Sequence, residues 1–155
     1  MKNTVLVSTL SWFIAAAFAN AAFAADCPDL NGRYSLDATP TASSTFLVIT
    51  QTGCTQIDMT WFLGPTKSTE YLRPVDGQTH SYGIREGFAL TERWSWKNGT
   101  ALESEQEYND PSQSEDDIED ALYSLDSAGN LSETAGEIVN GEATESGSGT
   151  YYRVK

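Results

Sequence analysis

Between Phe88 and Tyr108 hydrophobic and polar positions alternate with a period of two. Phe88, Leu90, Trp94 and Trp96 fall on one face of the incoming half. Leu102, Ser104, Gln106 and Tyr108 share a face of the outgoing half, and Glu103, Glu105 and Glu107 occupy the other. Asn98-Gly99 lies between the halves. That dipeptide tolerates φ > 0 at both central positions of a two-residue type I′ turn, so the pattern predicts a β-hairpin. The same period recurs upstream. Phe46–Thr50 is a short β-branched and aromatic run, and Thr55, Ile57, Met59, Trp61 and Leu63 alternate with Gln56, Asp58 and Thr60. Both read as strands. Glu70–Val75 adds another, with Pro74 marking an edge or a bulge because proline cannot donate to a ladder. Leu30–Leu36 and Thr150–Val154 open and close the series, and Tyr82–Ile84 and Leu122–Leu125 are shorter candidates.

Two stretches carry little pattern. Glu115–Asp120 surrounds Ile118 with acids and reads as a helical turn or a solvated loop. Gly136–Gly149 is rich in Gly, Ser, Thr and Glu and reads as weakly structured apart from Ile138-Val139. The count is roughly eight to ten short strands with regularly spaced turns. The expected fold is all-β, an antiparallel up-and-down meander forming a closed or nearly closed barrel, with a sandwich as the alternative.

The first residues stand apart. Lys2 supplies a positive start, residues 5–19 are apolar but for Ser8, Thr9 and Ser11, and Ala22-Phe23-Ala24 offers the small residues a signal peptidase reads. The expectation is a cleaved secretory signal over 1–24 and a single domain over 25–155, acting in the periplasm or outside the cell. The apolar run falls short of the ~20 residues of a spanning helix. Asp26 before Cys27 speaks against a lipid anchor. In an oxidising compartment the pair Cys27 and Cys54 implies one disulfide.

Charge changes the picture further. The formal net charge is −13. Between Lys97 and Arg153 no Lys or Arg occurs, against fourteen Asp and Glu, whereas Asp26–Lys97 carries eight acids and six bases. Such a field repels nucleic acid and anionic lipid, so neither is an expected partner. It keeps an exported protein dispersed, and it would attract a cation or a basic protein. The expected state is a monomer without membrane insertion.

Candidate chemistry is sparse. His80 is the single histidine and follows a turn. No Gly-x-Ser-x-Gly elbow occurs, and paired cysteines leave no thiol nucleophile. Carboxylate pairs of the glycosidase kind stay open only because the acids are many. Asp110, Ser112, Ser114 and Asp116 alternate as ligands do in a helix-loop-helix calcium loop, but no Gly stands sixth and Ala121 stands twelfth. That loop class is excluded, and a weak irregular calcium site is the residual alternative. Asn98 and Asn130 begin Asn-x-Ser/Thr triplets in predicted turns. No catalytic residue, cofactor or metal is expected.

Gly32-Arg33-Tyr34 on the first strand, with Arg153 on the last, resembles the lipocalin and wider calycin arrangement. There a Gly-x-Trp opens the barrel and an Arg of the final strand packs across the ring. Tyr34 takes the place of the tryptophan, no second motif of Thr-Asp-Tyr type is present, and the usual C-terminal helix is missing. The resemblance implies an eight-stranded barrel with a small apolar cavity, and it gives Gly32, Tyr34 and Arg153 structural roles. Two functions then compete. One is a carrier of a small hydrophobic molecule, with Met59, Trp61, Trp94, Trp96 and Tyr108 as cavity candidates and Phe46, Val48, Ile57, Phe88 and Leu90 as further wall positions; filling a solid core is the plainer role for most of these. The other is an acidic module that meets a basic extracytoplasmic protein, similar in architecture and compartment to small β-barrel inhibitors of lysozyme-type enzymes.

Overall fold

The computed structural model of the chain describes residues 27–85, 88–109, 117–139 and 142–155. The expected signal segment and the Asp110–Asp116 stretch lie outside these residues. Ten strands form a single antiparallel sheet: β1 (Gly32–Ser35), β2 (Thr45–Thr52), β3 (Gln56–Leu63), β4 (Thr66–Pro74), β5 (Thr79–Arg85), β6 (Phe88–Lys97), β7 (Ala101–Asn109), β8 (Asp117–Leu125), β9 (Leu131–Val139) and β10 (Glu142–Arg153). Their order is β4-β3-β2-β1-β10-β9-β8-β7-β6-β5. Every neighbour is the preceding or following strand of the chain, except that β1 pairs with β10. The sheet curls into a nearly closed half-barrel whose two edges, β4 and β5, face each other across a seam. No helix occurs among the described residues.

The central hairpin forms as its alternation dictates. β6 and β7 pair from Ala89↔Asn109 to Lys97↔Ala101. Asn98 and Gly99 hold φ of 53° and 66°, and the Thr100 amide donates to the Lys97 carbonyl at 3.1 Å. Thr100 stays outside the ladder, so the connection is one residue longer than the predicted two-residue turn. On the outer face Lys97 Nζ meets Glu103 at 2.6 Å and an Arg93 guanidinium nitrogen meets Glu105 at 2.8 Å. The row of glutamates expected to face water does so, with cross-strand cations beside it.

Two weakly patterned stretches are strands instead. Asp117–Asp120 begins β8, not a helical turn or a loop, and pairs with both β7 and β9. Most of Gly136–Gly149 belongs to β9 and β10, joined from Tyr151↔Leu131 to Glu142↔Val139 with one irregularity between Ala143 and Glu145. Ladder hydrogen bonds on both sides satisfy the backbones of β8 and β9, which offsets their poor β propensity, whereas Glu142–Gly149 of β10 pairs with β9 alone.

The core collects at one end. Leu30, Tyr34, Ile57, Leu102 and Leu131 are fully buried there. Cys27 and Cys54 form the expected disulfide, which ties the leading segment to the β2–β3 turn. Leu30 enters the core from that segment; its amide donates to Gln51 at 2.9 Å and its carbonyl accepts the Tyr34 hydroxyl at 2.9 Å. The indole of Trp96 donates to the Cys54 carbonyl at 2.9 Å. At the mouth of this end the Arg153 guanidinium carbon lies 5.7 Å from the Tyr34 ring centroid, and a terminal nitrogen of Arg153 donates to the Asn31 carbonyl. A Cβ on Gly32 would come within 3.1 Å of the Tyr34 ring and 3.2 Å of the Arg153 guanidinium, so a larger residue would push one of them aside by a few tenths of an ångström. The strand count is ten rather than the eight that the resemblance implies, and the architecture is compatible with a calycin-like fold.

Candidate ligand-binding site

Pairing register decides which side chains face the concave side. Trp94 opposes Ser104, Ser104 opposes Ala121, Ala121 opposes Ala135, and Ala135 opposes Gly147. Cross-strand partners share a face. A row of small residues therefore runs across β7, β8, β9 and β10. The row behind it begins with Leu102, Tyr123 and Glu133, and the row in front with Gln106, Glu119 and Glu137. Small side chains between taller ones leave a trough. It forms a cavity of about 500 Å³, open to solvent on one side and lined by residues of these rows other than Trp94 and Leu102.

The rear wall is a packed polar–aromatic unit. Tyr123 stacks on Trp94 with centroids 6.3 Å apart and planes 7° from parallel. The Tyr151 hydroxyl donates to Glu133 at 2.6 Å, and Tyr123 bonds the same carboxylate. Burial, reinforced by the Glu133 charge, pushes both hydroxyls far above the ordinary tyrosine range, so they stay protonated donors. In front, the Tyr108 hydroxyl reaches Gln106 Oε1 at 3.1 Å and Glu119 at 3.4 Å. On the floor, Ser104 is 1% exposed and its Oγ has no hydrogen-bond partner among the described residues. A buried hydroxyl left unmatched costs about 1 to 3 kcal/mol. Ser104→Ala is accordingly expected to raise the thermal midpoint of the free protein by a few degrees; a lowered midpoint would show that the hydroxyl is matched after all.

A second polar unit closes the seam. Arg73 of β4 donates to Glu92 of β6 through Nε at 2.5 Å and through a terminal nitrogen at 2.9 Å. The Glu92 side chain is 0% exposed, and it also accepts the Trp94 indole at 2.9 Å. The Arg73 guanidinium carbon sits 3.8 Å from the Tyr82 ring centroid of β5 and 5.1 Å from that of Tyr71. Burial works against the charge on Arg73, but Glu92 outweighs it and raises its pKa.

The five cavity candidates separate on this frame. Met59 and Trp94 are buried core, Trp61 and Trp96 are half-buried against it, and Tyr108 stands in front of the trough. Trp61 meets Tyr151 edge-on at 5.6 Å. Ile57 and Leu90 are buried. Phe46 and Val48 are on the opposite face. The register Leu47↔Trp61 and Ile49↔Met59 turns Leu47 and Ile49 inward, and Phe46 packs under the Arg33 guanidinium at 3.7 Å. The Phe88 side chain lies outside the described residues. His80 is half-exposed, and its Nε2 lies 3.1 Å from Asp76. Asn130 spends its side chain holding Asp126 and the Arg153 amide. Sequence reasoning missed Arg73, Glu92, Ser104, Glu119 and Glu133. Glu92 was reachable, since it falls between Leu90 and Trp94 in the same inward alternation.

No family model matches the chain, and no curated protein matches it.

Proposed function

We propose that the chain is an exported, lipocalin-like binding protein that holds a small organic molecule in the trough on β7–β10. The observation that carries this reading is the open cavity of about 500 Å³ on the concave face, where the small residues Ala121, Ala135 and Gly147 run between taller side chains. Organic ligand sites fall in a range of roughly 300–1,000 Å³, with apolar walls and a few placed polar groups. Ala121, Ala135 and the Tyr123 ring offer the apolar surface, and Gln106 and Glu119 offer polar groups at the front. The predicted signal segment and the Cys27–Cys54 disulfide support a periplasmic or extracellular setting. Gly32, Tyr34 and Arg153 then serve the barrel, and Met59, Trp61 and Trp96 support the trough from behind.

Native mass spectrometry of the protein taken from its own exported fraction tests the reading. The expected spectrum carries an added mass that disappears on denaturation with the disulfide intact. A bare protein mass before and after denaturation sinks the carrier reading.

A further inference from the structure

We infer that the convex face of the sheet holds a second site, a groove over β1–β4 that takes a small organic acid, its carboxylate on Arg33 and a short apolar body beside it. This site is separate from the trough and stands whether or not the trough is occupied.

Cross-strand pairing puts Arg33, Val48 and Thr60 in one outward row, because Leu47 and Ile49 on either side of Val48 turn into the core. Phe46 and Phe62 oppose each other in the next row of the same face. A groove of about 280 Å³ runs there, lined by Arg33, Val48, Phe62, Gly64 and Pro65. Among these Arg33 alone is polar. The β3–β4 turn fixes the end of the groove. The Gly64 amide donates to the Ser44 carbonyl at 3.0 Å, and a Cβ on Gly64 would stand 3.0 Å from the Ala42 carbonyl oxygen at a φ of 59°. The turn therefore packs backbone to backbone on the segment before β2, and Pro65 stiffens the residue that follows.

Acids outnumber Lys and Arg in the chain by 22 to 9. Four cations of the sheet meet carboxylates: Lys67 with Glu70, Arg73 with Glu92, Arg93 with Glu105 and Lys97 with Glu103. Arg33 does not. Its guanidinium lies over the Phe46 ring at 3.7 Å, and among the described residues its N–H groups have no hydrogen-bond or ion-pair partner. A guanidinium seated on a ring keeps its donors at the edge of its plane, pre-organised for a bidentate carboxylate.

The net charge does not forbid an anion at this place. Residues 32–74 carry three acids, Asp37, Asp58 and Glu70, against three bases, Arg33, Lys67 and Arg73. The acidic excess belongs to the other arm, and charges beyond about 8 Å are largely screened at physiological salt. Glu70 is held by Lys67, and Asp58 accepts the Thr60 hydroxyl at 3.1 Å. An ammonium would meet Arg33 as a like charge, and a neutral molecule would leave its donors idle. The volume lies near the lower end for organic ligands, so the apolar body is a single ring or a short alkyl chain.

Three matched probes test the site: phenylpropanoate, phenylpropanol and phenylpropylammonium, titrated by amide NMR. The carboxylate is expected to bind about 10-fold tighter than the alcohol, with the ammonium weakest. The shifted amides should be those of Arg33, Val48, Phe62 and Gly64, and not those of Ala121 and Ala135 on the concave face. Arg33→Gln should weaken the carboxylate about 10-fold and leave the alcohol unchanged. Phe62→Ala should weaken both alike, since it removes apolar wall and no charge. If the alcohol or the ammonium binds as tightly at these amides, or Arg33→Gln holds the carboxylate as the wild type does, the role of Arg33 falls. If the carboxylate shifts only the concave-face amides, or none, the groove is not a site.

Discussion

Replacing Arg73 with methionine is expected to destabilise the protein by about 3 to 5 kcal/mol, read as a lowered urea midpoint. The variant removes a bidentate partner from a carboxylate that solvent does not reach. Among the described residues Glu92 would keep only the Trp94 indole as donor. The Coulombic gain of the wild-type pair mostly offsets the desolvation of two charges, so the pair adds little net stability. Its removal by halves is what costs. The double variant Arg73→Met, Glu92→Leu should therefore recover most of the loss. A single variant that loses under about 1 kcal/mol would mean that water reaches Glu92 through the seam.

The second large effect belongs to the disulfide. Cys27→Ser combined with Cys54→Ser is expected to cost about 3 to 4 kcal/mol, the loop-entropy value for a closed loop of this length. The separation is 27 residues. The loss should not stop at chain entropy, because Cys27 also holds the segment that carries Leu30 into the core. Amide exchange at Leu30 and Tyr34 should accelerate before the rest of the sheet. Equal acceleration everywhere would show that the leading segment is part of the global unit rather than a tethered plug.

These two sites illustrate what the sequence made legible. Cysteine arithmetic found the disulfide, and strict alternation found the β6–β7 hairpin. Gly32, Tyr34 and Arg153 lie close together at one end of the sheet. The start of β8 and the run from β9 into β10 were obscure for a physical reason tied to the site. Strand signal comes from β-branched and aromatic residues that fill space on a face. Ala121, Ala135, Gly136 and Gly147 fill little, and the missing bulk is the trough. The chain is least readable as sheet where it encloses the most room. Arg73 and Glu92 were hidden differently. Each obeys period two, but a charged residue at an inward position reads as an interruption until its partner across the seam is known.

The strand order bears also on how the molecule comes together. Every neighbouring pair but one is a hairpin or a short connection, so each arm, β1–β4 and β5–β10, zips from sequence-local contacts at small loop-closure cost. The exception is the joint of β1 with β10, where the contact of Arg153 with Asn31 spans 122 residues. Closing that joint is the high-contact-order event of folding, and it recruits only the short pairing Tyr34↔Arg153 and Ser35↔Tyr152. The first and last strands thus act as the clasp of the barrel, and the rate at which they meet sets when the two arms become one sheet.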